Sequence, residues 1–127
     1  MSTLGREEII RAGKPCIESI EVPEWSGQVY LRTMTGNERD RWESEILSRR
    51  GESNNGHSQT SVNLVGARAL LASMTLCDVD GVRLFGDSPE ELAVVGGLSA
   101  SGLDRIWSSA LRINALRDQD IEKLEGN

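Results

Sequence analysis

The sequence predicts an α+β domain, a mainly helical body with an N-terminal β-hairpin and room for one additional short strand. Three observations carry this. Residues 16–34 hold two short alternating runs separated by Pro23 and Gly27, the pattern of a hairpin. Most of the remainder falls into apolar segments at helical spacing, several opened by a serine or threonine cap. Between two of those segments lies Leu76-Cys77-Asp78-Val79-Asp80-Gly81-Val82-Arg83-Leu84-Phe85, an extended stretch around a tight turn.

The first strand is expected over Cys16–Val22, where Ile17, Ile20 and Val22 alternate imperfectly with Glu18, Ser19 and Glu21, as in a half-buried or edge strand. Pro23 has no N–H for a sheet ladder and closes it. Trp25-Ser26-Gly27 supplies the turn, and Val29–Met34 resumes the extended pattern. On this second strand Val29, Leu31 and Thr33 share one face and Tyr30, Arg32 and Met34 the other, so both faces are expected to be partly covered. Thr35-Gly36-Asn37-Glu38 is a capping box: the threonine hydroxyl and the glutamate three residues on satisfy each other's backbone donors. It starts a helix expected to reach about Ser48, with Trp42, Ile46 and Leu47 inward and Arg39, Asp40, Arg41, Glu43 and Glu45 forming a solvated face of mixed sign.

From 49 to 60 the apolar residues give way to Gly51, Ser53, Asn54, Asn55, Gly56 and Ser58, predicting a mobile loop inside a single 1–127 domain. His57, the lone histidine, sits in that loop with no Cys or second His beside it and reads as a solvated side chain. Ser61–Leu76 is apolar on most sides with Arg68 as its only charge, so it is expected to form the buried spine of the fold. Asp80-Gly81 then turns the chain into a short strand through Leu84 and Phe85. Ser88-Pro89-Glu90-Glu91 caps a short helix with Leu92 and Val95 inward, ended by Gly96-Gly97 in a left-handed conformation. Ser99 or Ser101 opens the next helix, on which Leu103, Ile106, Trp107, Ala110 and Ile113 repeat at helical spacing as a core stripe. A final amphipathic turn after Asp118 brings Ile121 and Leu124 together.

Composition narrows the function. A chain of 127 residues suits one domain able to bury roughly two-thirds of its unfolded surface. Fourteen basic residues are scattered among twenty acidic ones, and the net charge of −6 disfavours nucleic acid and anionic lipid as partners. The apolar surroundings of Cys16 and Cys77 favour buried, reduced thiols over a disulfide, and hence a reducing compartment. Neither a signal-peptide core nor an apolar run near the ~20 residues of a membrane span is present in the sequence.

No residue set reads as catalytic, cofactor-binding or metal-ligating. Counting Asp78 as the first position of an EF-hand places Val82, Arg83 and Pro89 where the fifth ligand, the obligatory glycine and the final glutamate belong, so the calcium reading fails. The sequence lacks a phosphate-binding Gly-x-x-x-x-Gly-Lys loop and a nucleophile set that one histidine could complete. Asp78/Asp80 and Glu90/Glu91 are carboxylate pairs of the kind that satisfy turns and helix starts. A binding protein is therefore expected rather than an enzyme.

The segment from Val22-Pro23-Glu24-Trp25 through Val29-Tyr30-Leu31-Arg32-Thr33-Met34-Thr35-Gly36, followed by a helix of mixed charge, resembles tail assembly chaperones of long-tailed bacteriophages and prophages. The Leu76–Phe85 block resembles the same family at the expected later position, and a weaker likeness runs from Leu103-Asp104-Arg105 through Leu111-Arg112-Ile113-Asn114 to Ile121-Glu122-Lys123-Leu124-Glu125. The resemblance implies a protein of the infected host's cytoplasm, absent from the finished virion, that holds the tape measure protein until the tail tube polymerises around it. It further implies that this chain is the shorter product of a frameshifted pair, whose longer form recruits tail tube protein, and it leaves room for self-association. Ile121, Leu124 and Trp25 are the candidate partner-binding residues, being least obviously consumed by a core. Two other classes stay open: a head–tail connector or tail terminator that persists in the virion, and a small cytoplasmic adaptor with no tail client.

Overall fold

The computed structural model describes residues 3–52 and 66–116. In chain order these form α1 (Arg6–Ala12), β1 (Ile17–Val22), a 3-10 turn (Pro23–Trp25), β2 (Gly27–Arg32), α2 (Gly36–Glu52), α3 (Ala67–Thr75), β3 (Leu76–Cys77), α4 (Pro89–Gly96) and α5 (Ala100–Ile113). The strands make one antiparallel sheet in the order β1-β2-β3, with Ile17 opposite Arg32, Val22 opposite Gly27 and Leu31 opposite Leu76. The predicted class, α+β with an N-terminal hairpin and one extra short strand, is the one observed.

The hairpin forms as its residues dictate. Pro23 opens the 3-10 turn, and Ser26 closes it at φ 54°, donating its N–H to Pro23 O at 3.0 Å. β1 is an edge strand, and its register divides it between two environments. Val22 is fully buried and Ile20 packs on the same core as Val29 and Leu31, whereas Ile17 turns to the opposite face and stays 40% exposed. Cys16, just before β1, is exposed rather than buried, while Cys77 is buried on β3 and burial pushes its thiol pKa up. Both cysteines are free.

The capping box at Thr35 is present with both halves: Thr35 N donates to Glu38 Oε1 at 2.9 Å and Glu38 N donates to Thr35 Oγ1 at 3.2 Å. The helix it starts runs to Glu52, beyond the expected end at Ser48. Trp42 and Ile46 are buried as predicted, but Leu47 is 44% exposed, because the stripe facing α3 is too narrow to take a third residue adjacent to Ile46. The remainder of the predicted 49–60 loop, His57 with it, lies outside the described residues, as do Ser61–Val65 at the predicted start of the next helix.

α3 is the spine. Eight of its nine residues are buried, all but Arg68, and their side chains are apolar or hydroxyls turned back on the helix. The two buried hydroxyls cause no loss, because Ser73 Oγ donates to Leu70 O at 2.7 Å and Thr75 Oγ1 donates to Leu71 O at 2.8 Å. Around α3 gather two apolar clusters. One holds Trp42, Ile46, Leu70, Leu71, Met74 and Ala110; the other joins Val22 and Leu31 of the hairpin to Ala72, Leu76, Val95, Leu103 and Ile106.

Three local expectations are corrected. The extra strand is Leu76–Cys77 itself; on the return segment only Arg83 forms an isolated bridge, to Cys77, so Leu84 and Phe85 are not a strand. α4 starts at Ser88, whose hydroxyl accepts from Glu91 N at 3.2 Å, but Gly97 ends it at φ −83° and ψ −3°, in the right-handed region. The chain tightens there instead, with Gly97 N donating to Val94 O at 3.2 Å and Leu98 N to Val95 O at 3.1 Å, because Ser99 must already cap α5. Finally, α1 was not anticipated. It buries no residue and is held by local bonds, among them Gly5 N donating to Glu8 Oε1 at 2.9 Å.

Candidate interaction surface

The hairpin is fastened to α5 by polar contacts on its inner face. Glu24 receives Arg105 through both carboxylate oxygens, from Nε at 2.8 Å and Nη2 at 2.9 Å, and Glu18 pairs with Arg112 one strand-length away. Hydrogen bonds from these guanidinium groups hold the carboxyls of Glu24 and Glu18 below the usual range. A depressed folded pKa contributes stability above the unfolded value of about 4.5 and loses it as pH falls through the folded value. We therefore expect the stabilities of wild type and a Glu18→Gln/Glu24→Gln variant to differ by a constant amount above about pH 4.5 and to converge only as pH falls below it through the folded values. Both pairs are solvent-accessible, so the separation should shrink with added salt. Parallel curves across the whole range would show that neither pair couples to folding.

Trp25 sits beyond the Glu24–Arg105 pair, at the start of α5. Its indole Nε1 donates to Ser99 Oγ at 3.1 Å, and the ring lies so close to Gly102 that a Cβ there would come within 2.5 Å of Cε2 and Cζ2. Gly102 is thus the residue that lets the ring approach the helix backbone. Trp25 is half-buried and packs on the core cluster that contains Val22 and Leu31, so part of its ring serves the fold. Ile121 and Leu124, the other two candidate partner residues, lie outside the described residues.

The apolar groups that remain most open lie elsewhere. Val79 and Val82 are 63% and 62% exposed at the tip of the turn between β3 and Arg83. This turn folds against the outer sheet face, where a Cβ at Gly81 would come within 3.0 Å of Ile17 Cδ1, so the 40% exposed Ile17 lies beside the turn that carries the two valines. Gly81 is held at φ +86°, a conformation that suits glycine. α1 adds Ile9 and Ile10, and Leu4 lies just before it, each at least half exposed. Sequence reasoning passed over the turn because Asp80-Gly81 announces itself as a connection; the signal available was an apolar residue on each side of it.

Among the described residues no group of three or more His, Cys, Asp or Glu side chains is placed to hold a metal ion, and no helix is long and apolar enough to cross a membrane. The polar clusters are ion pairs that join elements, such as Arg68 with Asp104 at 2.6 Å. What the geometry offers is open apolar surface on a fastened frame, and sequence comparison says what kind of protein carries it. The sequence model of the phage tail assembly chaperone family matches residues 9–123.

The chain belongs to that family.

The chaperone is also similar in fold to the bacteriophage HK97 tail assembly chaperone, with a TM-score of 0.54 and 24% sequence identity over 89% of this chain and 86% of that one. No curated protein matches the chain. Membership gives the chaperone a role in phage tail assembly, a task of interaction with tail proteins rather than of catalysis.

Proposed function

We propose that this chaperone binds the tape measure protein and keeps it soluble until the tail tube polymerises around it. The observation that carries the reading is the family match, which spans nearly the whole chain, from residue 9 to residue 123. The physical support is apolar surface left open on a folded frame: Val79, Val82, Leu84, Ile9 and Ile10 are each at least half exposed, as a protein that shields an aggregation-prone client requires. The reading places the protein in the host bacterial cytoplasm and outside the mature virion. It also includes recruitment of tail tube protein through a frameshifted longer form. The acidic balance of −6 would add solubility to the complex. Trp25, Ile121 and Leu124 are proposed as client contacts, Trp25 through the part of its ring that α5 leaves open.

Co-expression with the tape measure protein tests this directly. The expected result is co-purification, with the client moving from pellet to supernatant and light scattering reporting a defined complex. Ile121→Ser/Leu124→Ser should reduce the recovered client several-fold while leaving the circular dichroism spectrum intact. Full recovery with that variant removes the C-terminal contacts from the proposal, and a client that stays insoluble beside the wild type removes the proposal itself. Detection of the protein in purified particles by mass spectrometry would favour a connector or terminator instead.

A further inference from the structure

The turn that carries Val79 and Val82 is closed on its own backbone. Asp78 N donates to Val82 O at 2.9 Å and Gly81 N to Asp78 O at 3.0 Å. The Asp78 carboxylate accepts from Asp80 N at 2.8 Å and from Val82 N at 3.0 Å. The N–H groups of Asp78, Asp80, Gly81 and Val82 are therefore all engaged. A peptide that adds a strand needs free backbone donors and acceptors in a row, and this turn does not present them. A segment that docks here must bind through side chains. A helix is the form of peptide that does so at least cost, because its own backbone is already paired and its apolar stripe is exposed.

The charge around the patch selects among helices. Asp80 is exposed beside Val79, Asp78 is half-exposed, and Glu21 is exposed further along the sheet face that Ile17 occupies. None of the three carboxylates enters an ion pair among the described residues. The two arginines on that face, Arg32 and Arg83, have side chains only 11% and 24% exposed, and both are already paired with Glu38. The open charge of the face is thus negative around an apolar centre.

We propose that the patch of Ile17, Val79 and Val82 docks an amphipathic helical segment of the client whose apolar stripe is flanked by lysine or arginine. The proposal rests on the chaperone reading above and names the chemistry of the client segment at one surface. The apolar residues supply the contact area, and the carboxylates supply the preference for one flanking charge and a faster encounter.

Two synthetic helical peptides with the same leucine stripe, one flanked by lysines and one by glutamates, test it by fluorescence anisotropy with the full chain. The lysine peptide should bind about tenfold more tightly, and most of that difference should vanish between about 50 mM and about 500 mM salt. Val79→Ser/Val82→Ser should weaken the lysine peptide about tenfold, as loss of two apolar contacts predicts. Asp80→Lys, at an exposed position, should erase or reverse the preference even if the valine variant folds poorly. Equal binding of the two peptides, or a lysine-peptide affinity unmoved by the valine variant, overturns the proposal. The chaperone reading is separated from it by co-purification: wild type and Val79→Ser/Val82→Ser retaining the tape measure protein equally rejects this surface alone, whereas a wild type that retains none rejects the reading on which it rests.

Discussion

Replacing Trp42 by alanine is expected to cost about 4 kcal/mol of folding stability, the range for deleting a buried tryptophan side chain. Trp42 is fully buried among Ile46, Leu70, Leu71 and Met74, and its ring meets Trp107 edge-on with centroids 5.8 Å apart and planes at 64°. Truncation removes both the apolar burial and that aromatic contact, and α2 has few other inward residues with which to refill the space. Against a typical total of about 5–15 kcal/mol, such a loss leaves a large unfolded fraction at moderate urea. Trp42→Phe should behave differently. The indole Nε1 of Trp42 is buried with no hydrogen-bond partner among the described residues, so phenylalanine relinquishes an unpaired donor along with part of the ring. A net change within about 1.5 kcal/mol is expected, since the two effects oppose. Urea unfolding followed by circular dichroism measures both; an alanine variant as stable as the phenylalanine one would mean that the ring does not anchor α2.

The second large effect is expected at Glu38. This one carboxylate completes the capping box through Oε1 and receives both Arg32 and Arg83 through Oε2, the latter at 3.4 Å. The three side chains are 11%, 16% and 24% exposed in the order Arg32, Glu38, Arg83, so screening by water is limited. Arg83 is also tied to the end of α3, where its Nε donates to Ser73 O at 2.9 Å. Glu38 therefore joins β2, the start of α2 and the segment after the 78–82 turn. Glu38→Ala should destabilise by about 3 kcal/mol, combining a lost cap with two arginines left without their partner in a partly buried site. Glu38→Gln retains an acceptor for Thr35 N and should lose less. In a double-mutant cycle with Arg83→Ala, a coupling energy of about 1 kcal/mol or more is expected, and additivity would show that the pair is incidental.

The elements legible in the sequence are those whose signals are local. The capping box at Thr35, the serine cap at Ser88 and the proline turn at Pro23 lie within four residues of the structure they specify, and each forms as read. α1 escaped notice because nothing in it is buried: it has no core stripe, and at its start the side-chain cap bond is a glycine N–H, that of Gly5, donating to Glu8. Leu76–Cys77 is a strand only because Leu31 and Tyr30 lie opposite, a partnership between residues 45 or more positions apart that no local pattern encodes. Leu47 and Gly97 failed for a similar reason. One depends on the width of the contact with α3, the other on how soon α5 must begin. At the candidate surface the same logic holds. Trp25 looked free at a hairpin tip, and only the approach of Gly102 from the far end of the chain covers part of it. Ile17, Val79 and Val82 looked like ordinary strand and turn residues, and only the fold brings them together.

The contacts that fasten the hairpin to α5 also set an order of events during synthesis. Trp25 with Ser99, Met34 with Asn114, Glu24 with Arg105 and Glu18 with Arg112 join residues 74, 80, 81 and 94 positions apart. The hairpin leaves the ribosome early, yet the helix that covers Val22 and Leu31 is translated last among the described elements. Until then its apolar face has no lid, and closing it requires a long loop to be brought together, a slow step by comparison with helix formation. A nascent chain stalled before Ala100 would thus expose to the cell the same kind of surface that a chaperone exists to hide.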